Sequence, residues 1–295
     1  RYKSYATLMS DHALGAARRA DQEINNQQYR GPLHGVPVAV KDLCFTNGVR
    51  TMGGCKVLAD HVPDFDSTVV SRLESAGAIL LGKLNLTEGA MGGYNPEFDI
   101  PLNPWDPNRW PGASSSGSGV ATALGLCFGS LGSDTGGSIR FPAAACGVVG
   151  LKPTWGRVSH YGVLALAESL DHVGPLARSS ADAGIVLQAI AGHDPHDPTS
   201  LPGSANDMLD QIDRGVVGVR IGFDERHATD GVDPELAQAV LEGVRAMEGL
   251  GATIVEVQMP DVDRYLPAWS VLCSAEAVAA HKEHYPLRRV DYGPW

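Results

Sequence analysis

The stretch that decides the fold is "GSDTGGSIRFPAAACGVVGLKP", residues 132–153. It places Ser138 after two glycines and before Ile139 and Arg140. Gly-Gly-Ser is common in turns, so the stretch has two interpretations: a flexible loop, or a nucleophile beside backbone N–H donors. The G-x-S-x-G pattern of many serine hydrolases is absent, because Arg140 stands where that pattern requires its last glycine.

The residues around this stretch alternate between strand and helix patterns. Short apolar runs typical of buried strands occur at 35–42, 126–134 and 216–223. Runs typical of helices occur at 1–20, 115–127 and 179–192. Two longer segments, 66–86 and 233–257, each predict a helix, a glycine stop and a strand, and Asp66 or Ser67 is the expected N-cap of the first. This alternation indicates an α/β sheet covered by helices on both faces.

A lysine ends the first apolar run, "GVPVAVKD" at 35–42. A strand end inside an α/β sheet is usually buried, and burial lowers the pKa of a lysine. Lys41 is therefore a candidate for a neutral base. A structural ion pair with Asp42 is the alternative, and Lys83 and Lys152 also adjoin apolar runs, so position alone does not select Lys41.

A second serine-rich stretch, "WPGASSSGSG" at 110–119, leads directly into a predicted helix. It is either a short linker or a loop held at a helix N-terminus. Other signatures are missing: there is no S-x-x-K, no G-x-G-x-x-G and no P-loop. A combination of two serines and a lysine without histidine remains, and no cofactor is expected.

Composition excludes several classes of protein. The 295 residues are 43% hydrophobic and carry a formal net charge of −11, which argues against nucleic acid as a partner. No apolar run is long enough to span a membrane. The five cysteines are scattered, which favours a reduced, cytoplasmic setting. The close histidine pairs at 193/196 and 281/284 lack metal-site spacing, so we expect no metal.

The motifs of the chain resemble those of the amidase signature family. Four motifs carry the resemblance in order between residues 31 and 191: "GVPVAVKD", "NPWDPNRWPGASSSGSG", "GSDTGGSIRFPAAACGVVGLKPTWGRVS" and "SLDHVGPLARS". The resemblance implies an α/β fold with a mixed, mostly parallel central sheet and helices on both faces. We expect residues 1–295 to form a single domain, with 192–295 continuing it, a surface loop at 193–207 and a C-terminal portion of the family absent.

The resemblance also implies roles for individual residues. Ser138 is the family's nucleophile, Ser114 the relay serine after a cis peptide bond, and Lys41 the base. Ala113 departs from the family's usual glycine, which adds a methyl group beside Ser114. The backbone N–H groups of Thr135, Gly136, Gly137 and Ser138 are expected to form an oxyanion hole.

Other positions in the motifs have two interpretations each. Ser116 and Ser133 match residues that hydrogen-bond the lysine and the relay serine, or they cap loops. Asp134 and Arg140 are expected to fix the loop by an ion pair, and Asp171 to be structural. The residues that match the family's acyl pocket are Met91, Gly92 and Tyr94, although they can equally be loop and core residues.

The resemblance implies an amidase that cleaves a C–N amide bond of a small molecule. Carbamate or ester cleavage, or the role of an amidotransferase A-type subunit, remains open on the same three residues. A catalytically silent scaffold or binding protein is the alternative from another class. Substrate identity and oligomeric state, including a possible homodimer, are left open by the sequence.

Overall fold

A computed structural model describes residues 1–203 and 208–294. Its central sheet has six strands: β1 (Tyr5–Leu8), β2 (Pro37–Lys41), β3 (Ile79–Leu84), β4 (Gly129–Ser133), β5 (Val149–Gly150) and β6 (Val173–Ala177). They lie in the order β1-β3-β2-β4-β6-β5. Strands β2, β3 and β4 pair in parallel, β5 runs the same way, and the other two run against them. This confirms the predicted mixed, mostly parallel sheet.

The helices of the described residues follow in chain order: α1 (Ser10–Asn25), α2 (Thr68–Ser75), α3 (Ser116–Ala123), α4 (Arg140–Cys146), α5 (Ser180–Ile190), α6 (Glu225–Thr229), α7 (Pro234–Gly249) and α8 (Leu266–Ala280). Short 3-10 turns lie at Lys56–Leu58, Glu88–Ala90 and Arg289–Asp291. Within the described ranges, none of the helices combines the length and apolar character that crossing a membrane requires.

Alternate residues of β2 pack on opposite faces of the sheet, because side chains along a strand alternate in direction. Val38 and Val40 belong to a core cluster that contains side chains of α2 and α5. Ala39 belongs to another, with Ala121 of α3. Helices therefore cover both faces, and Lys41, two residues after Ala39, is expected on the α3 side.

The structure corrects one local prediction and confirms another. The predicted helix over 1–20 begins only at Ser10, because residues 5–8 pair with β3 as an antiparallel edge strand. This tertiary contact outweighs the local signal. The N-cap of α2 is Ser67, one of the two expected residues, although its side chain makes no cap bond, and the other, Asp66, accepts a hydrogen bond from the Asn47 N–H at 2.7 Å.

The chain divides into two compact units, Arg1–Met208 with Leu272–Trp295, and Leu209–Val271. The second unit contains β7 (Arg220–Phe223) and β8 (Thr253–Glu256), which pair in parallel as a sheet of their own. The alternating pattern predicts these strands in the central sheet, but their residues are half-buried or exposed, whereas those of β4 and β6 in the central sheet are all buried. The single-domain organisation stays a prediction.

The predicted loop at 193–207 agrees with the structure where it is described. Residues 193–203 contain neither helix nor strand. The remainder of that prediction, 204–207, lies outside the described residues.

Candidate active site

Lys41 lies at the carboxyl end of β2, between β3 and β4, and only 1% of the residue is exposed. Its Nζ atom donates hydrogen bonds to Ser114 Oγ at 2.6 Å and to Ser133 Oγ at 2.9 Å. The Asp42 carboxylate, the alternative partner, faces another lysine instead, with its Oδ1 at 3.7 Å from Lys83 Nζ. The structure therefore places Lys41 among hydroxyl groups and not in an ion pair.

Burial governs the protonation of Lys41. Removal from water disfavours the ammonium form and lowers the pKa of Lys41 from its ordinary 10.5 to about 7. The negative charges of Asp171 and Asp134 oppose this shift only in part. A substantial fraction of Lys41 is therefore a neutral amine near neutral pH, with a lone pair available to accept a proton.

Ser114 follows a cis peptide bond from Ala113, as the resemblance implies. The preceding Gly112 has a φ of 83°, and a Cβ atom there would lie 2.2 Å from the Pro142 Cα. Only glycine fits such a conformation so close to another backbone. The close approach brings the loop before α3 against the first turn of α4, which follows Ser138.

Ser115 is a residue that the sequence analysis did not select. Its hydroxyl donates to the Ser133 C=O at 3.1 Å and accepts from the Ser133 N–H at 3.2 Å. It thereby fixes the end of β4, whose last side chain hydrogen-bonds Lys41. Three adjacent serines look alike in a sequence, and only the course of the backbone shows which partner each hydroxyl group contacts.

Ser138 lies in the turn between β4 and α4 and is partly exposed. Its C=O accepts a hydrogen bond from the Ser115 N–H at 3.2 Å, which joins the two serine loops. Among the described residues, however, no hydrogen bond links the Ser138 hydroxyl to Ser114. The expected hydrogen-bonded chain of Lys41, Ser114 and Ser138 is thus present only in its Lys41–Ser114 part.

Asp134 holds the Ser138 turn. Its carboxylate accepts the N–H groups of Gly137 at 2.7 Å and Ile139 at 3.1 Å, and it pairs with the Arg140 guanidinium at 2.9 and 3.0 Å. Burial raises the pKa of Asp134, but the hydrogen bonds from Arg140 and the backbone outweigh it and keep this pKa below its ordinary value. The expected Asp134–Arg140 ion pair is present.

Asp171 fixes the other side of the same turn. Its carboxylate accepts the Thr135 hydroxyl and the N–H groups of Leu166 and Ala167. These bonds agree with a structural role. Gly137, with a φ of 124°, lies so close to the Phe141 ring that a Cβ atom would be 2.3 Å away, whereas Gly136 is exposed.

The three predicted pocket residues, Met91, Gly92 and Tyr94, lie in three different environments. Tyr94 donates from its hydroxyl to Ser116 Oγ at 2.7 Å, so Ser116 contacts Tyr94 and not Lys41. Met91 lines a cavity of about 300 Å³ together with Glu88 and His281. Gly92 is exposed and lies outside the lining of that cavity. The nearby Thr87 N–H donates to the Ser114 C=O at 3.3 Å, which connects this loop to Ser114.

Within the described ranges, no group of three or more His, Cys, Asp or Glu side chains is arranged to hold a metal ion. The prediction that the protein needs no metal or cofactor stays a prediction.

Comparison with known proteins identifies the family. The Amidase family model matches residues 1–289, and the chain belongs to this family. "Putative amidase AmiD" of Mycobacterium tuberculosis is 48% identical over 99% of the chain and 61% of its own length. The A-type subunit of the glutamyl-tRNA(Gln) amidotransferase of Chloroflexus aurantiacus is 44% identical over 94% of the chain and 57% of its own length.

A solved structure shows the same fold. The native peptide amidase from Stenotrophomonas maltophilia superposes with a TM-score of 0.88 at 36% identity, over 98% of this chain and 61% of that one. The chain thus spans about three fifths of the length of these relatives.

Proposed function

We propose that the protein hydrolyses the C–N amide bond of a small molecule, with Ser138 as nucleophile, Ser114 as proton relay and Lys41 as base. The observation that carries the proposal is the 2.6 Å hydrogen bond between Lys41 Nζ and Ser114 Oγ at a buried site where the pKa of Lys41 falls to about 7. Membership of the amidase family supports the reaction class.

The proposed reaction transfers protons along Ser138, Ser114 and Lys41. In its neutral form Lys41 still donates to Ser133, but its bond with Ser114 reverses direction, and its lone pair accepts the proton of Ser114. Ser114 in turn accepts the proton of Ser138, whose oxygen bonds to the carbonyl carbon while the C=O electrons move to oxygen. Collapse of this intermediate breaks the C–N bond, and the proton returns through Ser114 to the leaving amine. Water then hydrolyses the acyl-enzyme by the same route.

The Gly137 N–H already donates to the Asp134 carboxylate at 2.7 Å, so the other backbone N–H groups of the turn from Thr135 to Ser138 are the donors for the negative oxygen. Asp134 and Asp171 hold this turn from two sides, so the donors are fixed before substrate binds. Each donor in such a site is worth about 3–4 kcal/mol in the transition state. Because Gly136 and Gly137 carry no Cβ, the oxyanion can approach the backbone closely.

The compartment, the partners and the oligomeric state of the protein are also proposals. All five cysteines are free and buried, which favours a reducing compartment such as the cytoplasm. The net charge of −11 gives no support for direct nucleic-acid binding. A homodimer remains a proposal to be tested by light scattering.

A second candidate is the glutamine-hydrolysing subunit of an amidotransferase, favoured by the 44% identity to the Chloroflexus amidotransferase subunit. It differs from the first candidate in needing partner subunits. Rapid release of ammonia from glutamine only after addition of such partners would favour this candidate, whereas turnover of simple amides by the chain alone favours the first.

The test is a panel of aliphatic amides, anilides, carbamates, esters and glutamine, assayed with wild type, Ser138→Ala and Ser71→Ala. Ser71 is an exposed serine of α2 and serves as the matched control. We expect amide turnover by wild type and Ser71→Ala and its complete loss in Ser138→Ala. Amide turnover that survives in Ser138→Ala would overturn the proposal, and turnover of esters or carbamates alone would reassign the substrate class.

A further inference from the structure

A second buried lysine takes no part in the proposed proton transfer. Lys83 of β3 is 0% exposed, and its Nζ atom donates to the Cys44 C=O and to Thr51 Oγ1, the latter at 2.6 Å. Its charge lies 3.7 Å from Asp42 Oδ1. A buried ion pair contributes little net stability compared with apolar side chains of the same volume. We therefore expect this pair to have a role other than stability.

Lys83 holds the turn that begins at the proposed base. The Cys44 N–H donates to the Lys41 C=O at 3.0 Å, which closes the turn after β2. Lys83 then binds the C=O of the same Cys44. The Lys83 ammonium group thus fixes the turn that contains the Lys41 backbone.

The partner residue Asp42 is connected to the proposed relay serine through a series of backbone hydrogen bonds. Asp42 accepts the Met52 N–H through its side chain at 3.2 Å, and its C=O accepts the Gly53 N–H at 2.9 Å. The Gly53 C=O accepts the Gly89 N–H at 2.8 Å. Gly89 belongs to the loop whose Thr87 N–H binds the Ser114 C=O.

We propose that Lys83 and Asp42 are positioning residues that together set the distance between Lys41 Nζ and Ser114 Oγ. Lys83 and Asp42 act on Lys41 through the turn to Cys44. They act on Ser114 through the segments at Gly53 and Thr87. This inference rests on the proposed function, in which that bond carries the proton. A displacement of about 1 Å at such a bond is enough to slow a reaction by about a hundredfold.

The test uses the full chain and a fluorophosphonate probe, which forms a bond from Ser138 Oγ to phosphorus as fluoride leaves. Lys83→Met removes the cation, and Lys83→Met/Asp42→Asn neutralises both partners so that no unpaired charge stays buried. We expect the maximal labelling rate to fall by about tenfold or more in both variants, while the probe concentration at half-maximal rate stays within about threefold of wild type.

Arg72→Met is the matched control. Arg72 also fixes backbone by donating to three carbonyl groups, those of Ile190, Gly192 and His193, and none of these residues belongs to the two serine-rich loops. We expect this variant to lose stability and to label at the wild-type rate. If the folded double variant labels within about twofold of wild type, or if Arg72→Met slows labelling as much, the positioning role is wrong.

The two proposals fail in different ways. If wild type is not labelled at Ser138, the proposed function fails, and the positioning role is then tested by a crystal structure of the double variant. Separation of Lys41 Nζ from Ser114 Oγ beyond hydrogen-bonding distance supports the positioning role. An unchanged distance of 2.6 Å overturns it.

Discussion

Replacing Lys41 with methionine tests the charge state of the buried amine through stability. Burial lowers the pKa of Lys41 to about 7 in the folded protein, against an ordinary 10.5. Between these two pH values the unfolded chain binds a proton at Lys41 that the folded chain does not, so the stability of the wild type rises with pH. Lys41→Met lacks this contribution.

Each pH unit in this window corresponds to about 1.4 kcal/mol. Because folded Lys41 is half-protonated at pH 7, the free energy of unfolding of wild type relative to Lys41→Met should rise by about 2 kcal/mol from pH 7 to pH 9, and the difference should level off below pH 7. The lost hydrogen bonds to Ser114 and Ser133 shift the whole difference curve without changing its slope.

The assay is urea unfolding followed by circular dichroism, for both proteins, at half-unit steps from pH 6 to pH 9. Taking the difference between the two proteins cancels the titration of groups that they share, so the slope reports Lys41 alone. A difference that stays flat from pH 7 to pH 9 would show that Lys41 remains charged in the folded state, and the argument for a neutral base would be refuted.

Three further predictions concern the groups around Lys41. Ser114→Ala should slow labelling of Ser138 by a fluorophosphonate by roughly a hundredfold or more but leave a measurable rate, because water can bridge the gap; a rate equal to wild type would contradict the relay. Asp134→Ala should lower the free energy of unfolding by about 1–3 kcal/mol for each backbone N–H left unpaired, measured by urea titration, and no loss would contradict its hold on the turn. A metal chelator should leave amide turnover unchanged, and inactivation that added zinc reverses would contradict the metal-free mechanism.

The central sheet was largely predictable because its signals are local. The run "GVPVAVKD" and the helix–glycine–strand pattern of 66–86 lead to β2, α2 and β3, and Gly77 adopts the expected positive φ of 81°. Edge strand β1 was missed, since its residues 5–8 also fit one side of an amphipathic helix. Only pairing with β3 decides between the two conformations.

The site was predictable at the level of the motifs but not of their contacts. The sequence patterns and the family resemblance identified Lys41, Ser114 and Ser133, which the structure brings into hydrogen-bonding distance. The role of Ser115 and the Lys83 anchor depend on strand register and on the course of two loops. These are tertiary features that no pattern of spacing in one sequence expresses.

The central claim is that Lys41 is the base that activates Ser138. Its most direct test is the rate of fluorophosphonate labelling of Ser138 against pH, in wild type and in Lys41→Ala. We predict that the wild-type rate rises with pH through a midpoint near 7, as the amine loses its proton, and then levels off. We predict that Lys41→Ala labels far more slowly and lacks this midpoint. If Lys41→Ala labels as fast as wild type with the same pH dependence, Lys41 is not the base.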